Sequence, residues 1–401
     1  MSQQMWAAPT AAMPIRGTVT VPGSKSITNR ALILAAISQS PSTISNGLIA
    51  RDTQLMIKAL QTLGVAIDST DPAHITVVPG PLRGPAEIDC GLAGTLMRFL
   101  PPLAATADGP IHFDGDEGAR RRPMATATTA LRDLGVAVAD DGRGKLPFTI
   151  AGTGSVRGGE IDLDASSSSQ FVSGLLLSAP RFANVTTVRH RGAAVPSLPH
   201  IEMTVDMLRA AGVEVVADTA DPSHAQWTVT PGSVNLGDYI VEPDLSNASA
   251  FLAAAMVTGG SVTVPDWPLH TTQAGDQIRG VFTAMGATCE ITGDGLRVTG
   301  PDTLTGIDVD LRDIGELTPT IAAVAAFAAG PSTLTGIAHL RGHETDRLEA
   351  LVTEINRLGG AATERDDGIA IEPAPLTDAD VGNCNDNRIG TFAAIGGRRR
   401  R

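Results

Sequence analysis

The chain is poor in cysteine, in aromatic residues and in long apolar runs, and each shortage excludes a class of protein. Cys90, Cys289 and Cys384 are too few and too scattered for a disulfide framework or a thiolate metal site. No run reaches the roughly 18 uninterrupted apolar residues that a membrane span needs. The most apolar stretch, Ile321 to Ala329, is far shorter. Aromatic residues make up only 3%, so the core must be built from Ala, Val, Leu and Ile. The first residues lack the basic-then-apolar order of a secretory signal, which makes the cytoplasm the expected location. Cations are outnumbered, with 30 Lys and Arg against 43 Asp and Glu, and a net charge of −13 argues against nucleic acid as a partner. An acidic chain that binds anions must gather its cations at one place.

What is present is an ordinary globular composition, 42% hydrophobic and 18% charged, in 401 residues, a length that predicts two domains. The informative feature is an internal repeat. The pattern of two apolar residues, Gly and alternating apolar residues ends a helix at Gly64, Gly135, Gly212, Gly286 and Gly359. Those positions are 71, 77, 74 and 73 residues apart. Each copy reads as an amphipathic helix stopped by a C-cap glycine and followed by a strand. A second element recurs with nearly the same period: a β-branched strand, a small polar turn and an Ala/Leu-rich helix. Its copies open near Thr18, Ile88, Ile161, Tyr239 and Ile307, with a degraded sixth near Asn385. Together they predict six units, the last incomplete, and the period is too long for ankyrin, armadillo or leucine-rich repeats.

The chemistry sits at the turns where strand meets helix. Helix N-termini offer unpaired N–H groups and a positive dipole end, which suits anions. Gly23-Ser24-Lys25-Ser26 places Lys25 in such a turn, with Asn29 and Arg30 a helical turn further on. Gly94-Thr95 with Arg98 supplies a backbone that a ligand can approach closely. Ser166 to Ser169 with Gln170 supplies neutral donors, and further cations follow in Arg120-Arg121-Arg122, His343 to Arg347 and Asp386-Asn387-Arg388. A Ser-rich turn taken singly is most often a plain N-cap, and an arginine run is often a solvated face. The collection, in an acidic chain, points to substrates with several phosphates and carboxylates.

Other motifs fail. Ser24 intrudes between Gly23 and Lys25, and Gly17 is misplaced for a P-loop. His343-Glu344 lacks the second His of a zincin, and Gly342 between His339 and His343 argues for a loop. Metal, nucleotide and serine-nucleophile chemistry are therefore disfavoured, and no metal or cofactor is expected.

Pro22-Gly23-Ser24-Lys25-Ser26 with Asn29-Arg30, Leu92-Ala93-Gly94-Thr95 with Arg98, and His343-Glu344-Thr345-Asp346-Arg347 resemble three signatures of the 5-enolpyruvylshikimate-3-phosphate synthases, the last in its actinobacterial form. The resemblance runs from about Arg16 to Glu372. It implies the two-domain α/β enolpyruvyl transferase fold, an inside-out α/β barrel of six βαβαββ repeats with the active site in the cleft between domains. The expected domains are residues 1–24 with 241–401, and residues 25–240. The implied function is transfer of the enolpyruvyl group of phosphoenolpyruvate to shikimate 3-phosphate, by a monomer acting on small molecules, with neither nucleic acid nor membrane as partner.

By the same resemblance, Lys25, Ser26, Arg30, Ser168, Ser169, Ser197, Glu316 and His343 would hold shikimate 3-phosphate. Lys25, Gly94, Arg122, Gln170, Arg347 and Arg388 would hold phosphoenolpyruvate. Glu316, Glu344, Lys25 and His343 would carry the proton chemistry, and His200 stands where many members have Tyr. Gly94 and Arg122 also match the pattern of glyphosate-sensitive members. The last signature departs from the family: Asp-His-Arg-Met-Ala is here Asp386-Asn387-Arg388-Ile389-Gly390, and an arginine run follows where relatives continue to a Lys that contacts phosphoenolpyruvate. Two other readings stay open. One is a truncated homologue that binds shikimate 3-phosphate without turnover. The other is a UDP-N-acetylglucosamine enolpyruvyl transferase, which resembles the chain less because Asp116 to Pro123 holds no Cys.

Overall fold

The structure, a computed structural model, describes residues 7–396 apart from residues 9, 72, 344, 383 and 385. The chain divides into two compact units, residues 1–21 with 243–401 and residues 22–242. Each has its own apolar core, one running from Ile27 to Val241 and the other from Val21 to Ile395.

Five four-stranded sheets repeat one arrangement among the described residues: a parallel pair, then two antiparallel additions. In one, Ala86–Asp89 lies parallel to Asp108–Asp114, which pairs with Phe148–Thr153 and that in turn with Ala137–Ala139. The sheet of Gly159–Leu163, Thr186–His190, Gln226–Val229 and Val215–Asp218 repeats it, as does the sheet of Asp308–Asp310, Ser332–Thr335, Gly368–Glu372 and Ala361–Arg365. In these three sheets the parallel pair is joined by a helix, as a parallel connection requires. Two sheets take their first strand from a distance. Arg16–Thr18 precedes the helix Lys25–Ala36 in sequence but pairs with Ser261–Val264. Asp238–Ile240 pairs with Ser42–Ser45. The two crossings of the chain, near residues 22 and 242, thus exchange first strands.

The helices are of two kinds, and composition explains both. Helices Gly94–Ala104 and Gln170–Ser178 and the second half of Lys25–Ala36 are apolar nearly all round, and all three helices are almost wholly buried in their unit. Leu245–Thr258, Thr318–Ala325 and Asn387–Gly396 pack together in the other unit. A helix without a polar face has to be enclosed. Small residues let these helices touch: a Cβ on Gly174 would lie 2.2 Å from the Arg98 carbonyl oxygen of the neighbouring helix. Helices such as Arg51–Thr62 and Arg347–Arg357 instead bury one stripe and expose the other. The five repeat glycines that follow such helices all have positive φ, from 83° at Gly359 to 105° at Gly64. That left-handed backbone closes the last turn at little cost only without a Cβ.

Candidate active site

In residues 22–242 the three buried helices have their first turns tied to one another. Asn29 Nδ2 donates to Thr95 Oγ1 at 3.0 Å, joining the Lys25 and Gly94 helices. Arg98 Nη1 donates to Gln170 Oε1 at 3.4 Å, joining the Gly94 and Gln170 helices. Arg30 Nη2 reaches Ser173 Oγ at 3.3 Å, joining the first and third. Three helix N-termini, each with a positive dipole end, are thereby gathered at one end of this unit.

The sharpest feature there is Gly94. Ala93, the residue preceding its helix, offers no side-chain cap, so the first N–H groups are left for another acceptor. Two guanidinium groups close over the same spot: a Cβ on Gly94 would lie 2.9 Å from both Arg122 Nη1 and Arg98 Nη1. Arg122 is 9% exposed and donates to the Leu92 carbonyl at 3.4 Å. Its neighbours in the arginine run do something else. Arg120 pairs with Asp114 at 2.5 Å and Arg121 with Glu117 at 3.0 Å, both at the exposed surface. Of the run Arg120 to Arg122, the sequence expectation for Arg122 concerns the one residue turned inward.

Lys25 opens its helix behind the cap Ser24 and makes a 3.1 Å ion pair with Asp52. Both partners are partly exposed, so the pair is worth under about 1 kcal/mol and yields readily to an anion. Ser26 is half-buried, and its carbonyl accepts from Arg30 Nη1 at 3.0 Å. Arg30 is directed inward: at 1% exposure it also donates to Thr204 Oγ1 and the His200 carbonyl and lies over the Phe99 ring. Burial pushes its guanidinium down to about 9, still charged near neutrality. Its hydrogen-bond partners are neutral oxygens, so its positive charge adds to the potential at this end of the unit. Ser168 and buried Ser169 lead into the Gln170 helix, where the Gln170 N–H donates to Ser168 Oγ at 3.3 Å. Ser197 holds φ = 54°, a left-handed conformation uncommon outside glycine, directly before the helix Pro199–Ala210 that carries His200.

Residues 243–401 carry a second group. Glu316 lies in the tight turn Arg312–Leu317 before the helix Thr318–Ala325, and Ser246 Oγ donates to its Oε1 at 3.3 Å. Arg388 Nη1 donates to the Ser246 carbonyl at 3.1 Å. Arg347 is held by Asp386: Nε to Oδ2 at 2.8 Å, with the two side chains 6% and 0% exposed. Asp386 also accepts from the Arg388 N–H, and Arg347 Nη1 lies 3.1 Å from His343 Nδ1. Glu316, Ser246, Arg388, Asp386, Arg347 and His343 thus form one connected polar network. Glu344 lies outside the described residues, as does the arginine run at 398–401.

Several members escaped the sequence reading. Ser246 sits in the same strand-to-helix turn as the other copies, a signal that was legible. Asp52, which holds Lys25, has none. His339 packs edge-on to His343, with ring centres 5.9 Å apart, and its buried Nε2 has no hydrogen-bond partner. Burial holds the His339 imidazole below its ordinary value, against the opposing pull of Glu316 and Asp367. Among the described residues no three His, Cys, Asp or Glu side chains are grouped to hold a metal, and no helix is long and apolar enough to cross a membrane.

The sequence matches the EPSP synthase (3-phosphoshikimate 1-carboxyvinyltransferase) family over residues 9–400. It is 52% identical to a 3-phosphoshikimate 1-carboxyvinyltransferase of Kocuria rhizophila, covering 98% of this chain and 90% of the relative. The like-named protein of Mycobacterium ulcerans is also 52% identical, covering 99% and 92%. Among solved structures, an EPSP synthase of Acinetobacter baumannii superposes with a TM-score of 0.78 at 25% identity, over 97% of this chain and 91% of that one.

Proposed function

The chain belongs to the EPSP synthase family, and from that membership we propose that it transfers the enolpyruvyl group of phosphoenolpyruvate to the 5-hydroxyl of shikimate 3-phosphate, releasing phosphate. The observation that carries the reading is the uncapped helix N-terminus at Gly94 under the Arg122 and Arg98 guanidinium groups, a place fit for a small, highly charged anion.

In this reading phosphoenolpyruvate is held by Lys25, the Gly94 backbone, Arg122, Gln170, Arg347 and Arg388. Shikimate 3-phosphate is held by Lys25, Ser26, Arg30, Ser168, Ser169, Ser197, Glu316 and His343. Arg30 acts mainly through its charge, since its donors are directed to protein oxygens. The 5-hydroxyl attacks C2 of phosphoenolpyruvate while C3 gains a proton. The resulting tetrahedral adduct expels phosphate as C3 loses a proton, restoring the double bond. Glu316 takes the hydroxyl proton, and its Ser246 partner fixes the carboxylate that receives it. Lys25 and Glu344 serve the proton at C3. The arginines offset charge that gathers on the adduct, and fixed positions save the entropy of bringing two anions together. The same reading makes the chain a cytoplasmic monomer acting on two small molecules.

Replacement of Glu316 tests the assignment. Glu316→Gln keeps the size and the Ser246 contact but not the proton acceptor. It should lower kcat by about 10²–10⁴-fold with both substrate affinities nearly unchanged. A variant with parental kcat removes Glu316 from the mechanism.

A further inference from the structure

The strands Gly159–Leu163 and Thr186–His190 run parallel and side by side, with Leu163 in register with His190. From their adjacent ends leave the two loops that carry Ser168, Ser169 and Ser197. His190, the last residue of its strand, is 0% exposed and lies at the fork. Its Nδ1 faces the Ala165 N–H at 3.1 Å, on the first loop. Its Nε2 faces the Ala193 carbonyl at 2.6 Å, on the second. An N–H can only donate and a carbonyl can only accept. The ring is therefore neutral with the hydrogen on Nε2, and both nitrogens are committed.

The brace extends from there. Ser166 Oγ, on the first loop, donates to the same Ala193 carbonyl at 3.0 Å. The Ser168 N–H bonds the Ala165 carbonyl at 3.0 Å, so the residue His190 anchors sets the turn that aims Ser168. On the other side, Ser197 keeps φ = 54° and its carbonyl accepts from the His200 N–H at 3.0 Å. An uncommon backbone conformation of this kind persists only where its surroundings over-determine it.

We propose that His190 is a positioning residue for the phosphate of shikimate 3-phosphate, fixing the Ser168–Ser169 loop and the Ser197 loop at the separation one phosphate requires. The inference rests on the proposed function, in which these serines take that phosphate. His190 touches neither substrate; it acts through the two loops. Its influence falls more heavily on shikimate 3-phosphate: of the residues assigned to phosphoenolpyruvate only Gln170 adjoins the braced loop, through its N–H to Ser168 Oγ, while Gly94, Arg122, Arg347 and Arg388 belong to other elements.

The test measures binding of shikimate 3-phosphate and of phosphoenolpyruvate by calorimetry, and both KM values, for the parent and three variants. His190→Leu removes both contacts, His190→Gln can keep a donor for Ala193, and His190→Asn can keep an acceptor for Ala165. The dissociation constant and KM for shikimate 3-phosphate should rise at least about tenfold in His190→Leu, and less in at least one polar variant. The KM for phosphoenolpyruvate should rise by a clearly smaller factor, since Gln170 alone of its residues adjoins the braced loop. If His190→Leu does not fold, a selective rise in the two polar variants supports the proposal. Unchanged shikimate 3-phosphate binding in folded variants overturns it, as does an equal loss for both substrates. A parent that does not bind shikimate 3-phosphate overturns the proposed function itself, an outcome distinct from variants that match a binding parent.

Discussion

Gly94 and Arg122 are 28 residues apart in sequence yet meet because a helix start and a loop converge, and the contact depends on the missing Cβ. Gly94→Ala would place a methyl group 2.9 Å from two guanidinium groups and force them off the helix N-terminus. The KM for phosphoenolpyruvate should rise by about tenfold or more while that for shikimate 3-phosphate changes little, which steady-state kinetics with each substrate varied would read. His339 illustrates a different residue-scale effect. Burial depresses its folded-state pKa, with Arg347 adding to the effect and Glu316 and Asp367 opposing it. Between the folded value and the ordinary one near 6.5 the unfolded chain binds more protons. The stability contribution is therefore fully present above about pH 6.5 and is lost as pH falls toward the folded value. On going from about pH 7.5 to about pH 5.5, the urea midpoint should fall further for the parent than for His339→Gln. Parallel curves would contradict this.

Elements were legible in the sequence where their causes are local. The C-cap glycines announce themselves because a left-handed residue must end the helix, and all five adopt it. Ser24 caps the Lys25 helix as its position suggests. The pairing of Arg16–Thr18 with Ser261–Val264 was not readable from the strands, because three residues carry too little pattern to choose a partner some 245 positions away. Nor does the motif around Arg30 disclose that its guanidinium turns inward, since burial is decided by the helices packed beside it. The same limit applies to Arg347 and Asp386, whose pairing ties the helix Arg347–Arg357 to the start of Asn387–Gly396. With both side chains buried, Asp386→Asn leaves a guanidinium charge with no carboxylate opposite it in the Asp386 position. It should cost about 3–5 kcal/mol of stability by chemical denaturation. The exposed pair Arg51–Asp116 serves as control, and Arg51→Ala should change stability little.

At the scale of the whole molecule, one repeated unit accounts for the architecture and for the distribution of the chemistry. Among the described residues five repeats lead a strand into a helix N-terminus, and the helix Asn387–Gly396 starts without such a strand, so functional residues fall at Lys25, Gly94, Gln170, Ser246, Glu316 and Arg388, one turn after another along the chain. The substitution of Asn387 for the family's His leaves Asp386 and Arg388 still linked, through the Asp386 carboxylate and the Arg388 N–H at 2.8 Å. The central claim is that this set of turns serves one reaction with one acceptor. It is tested most directly by phosphate release from phosphoenolpyruvate in the presence of shikimate 3-phosphate, with UDP-N-acetylglucosamine as the control acceptor. The account predicts release with shikimate 3-phosphate alone; release with UDP-N-acetylglucosamine, or with neither acceptor, would contradict it.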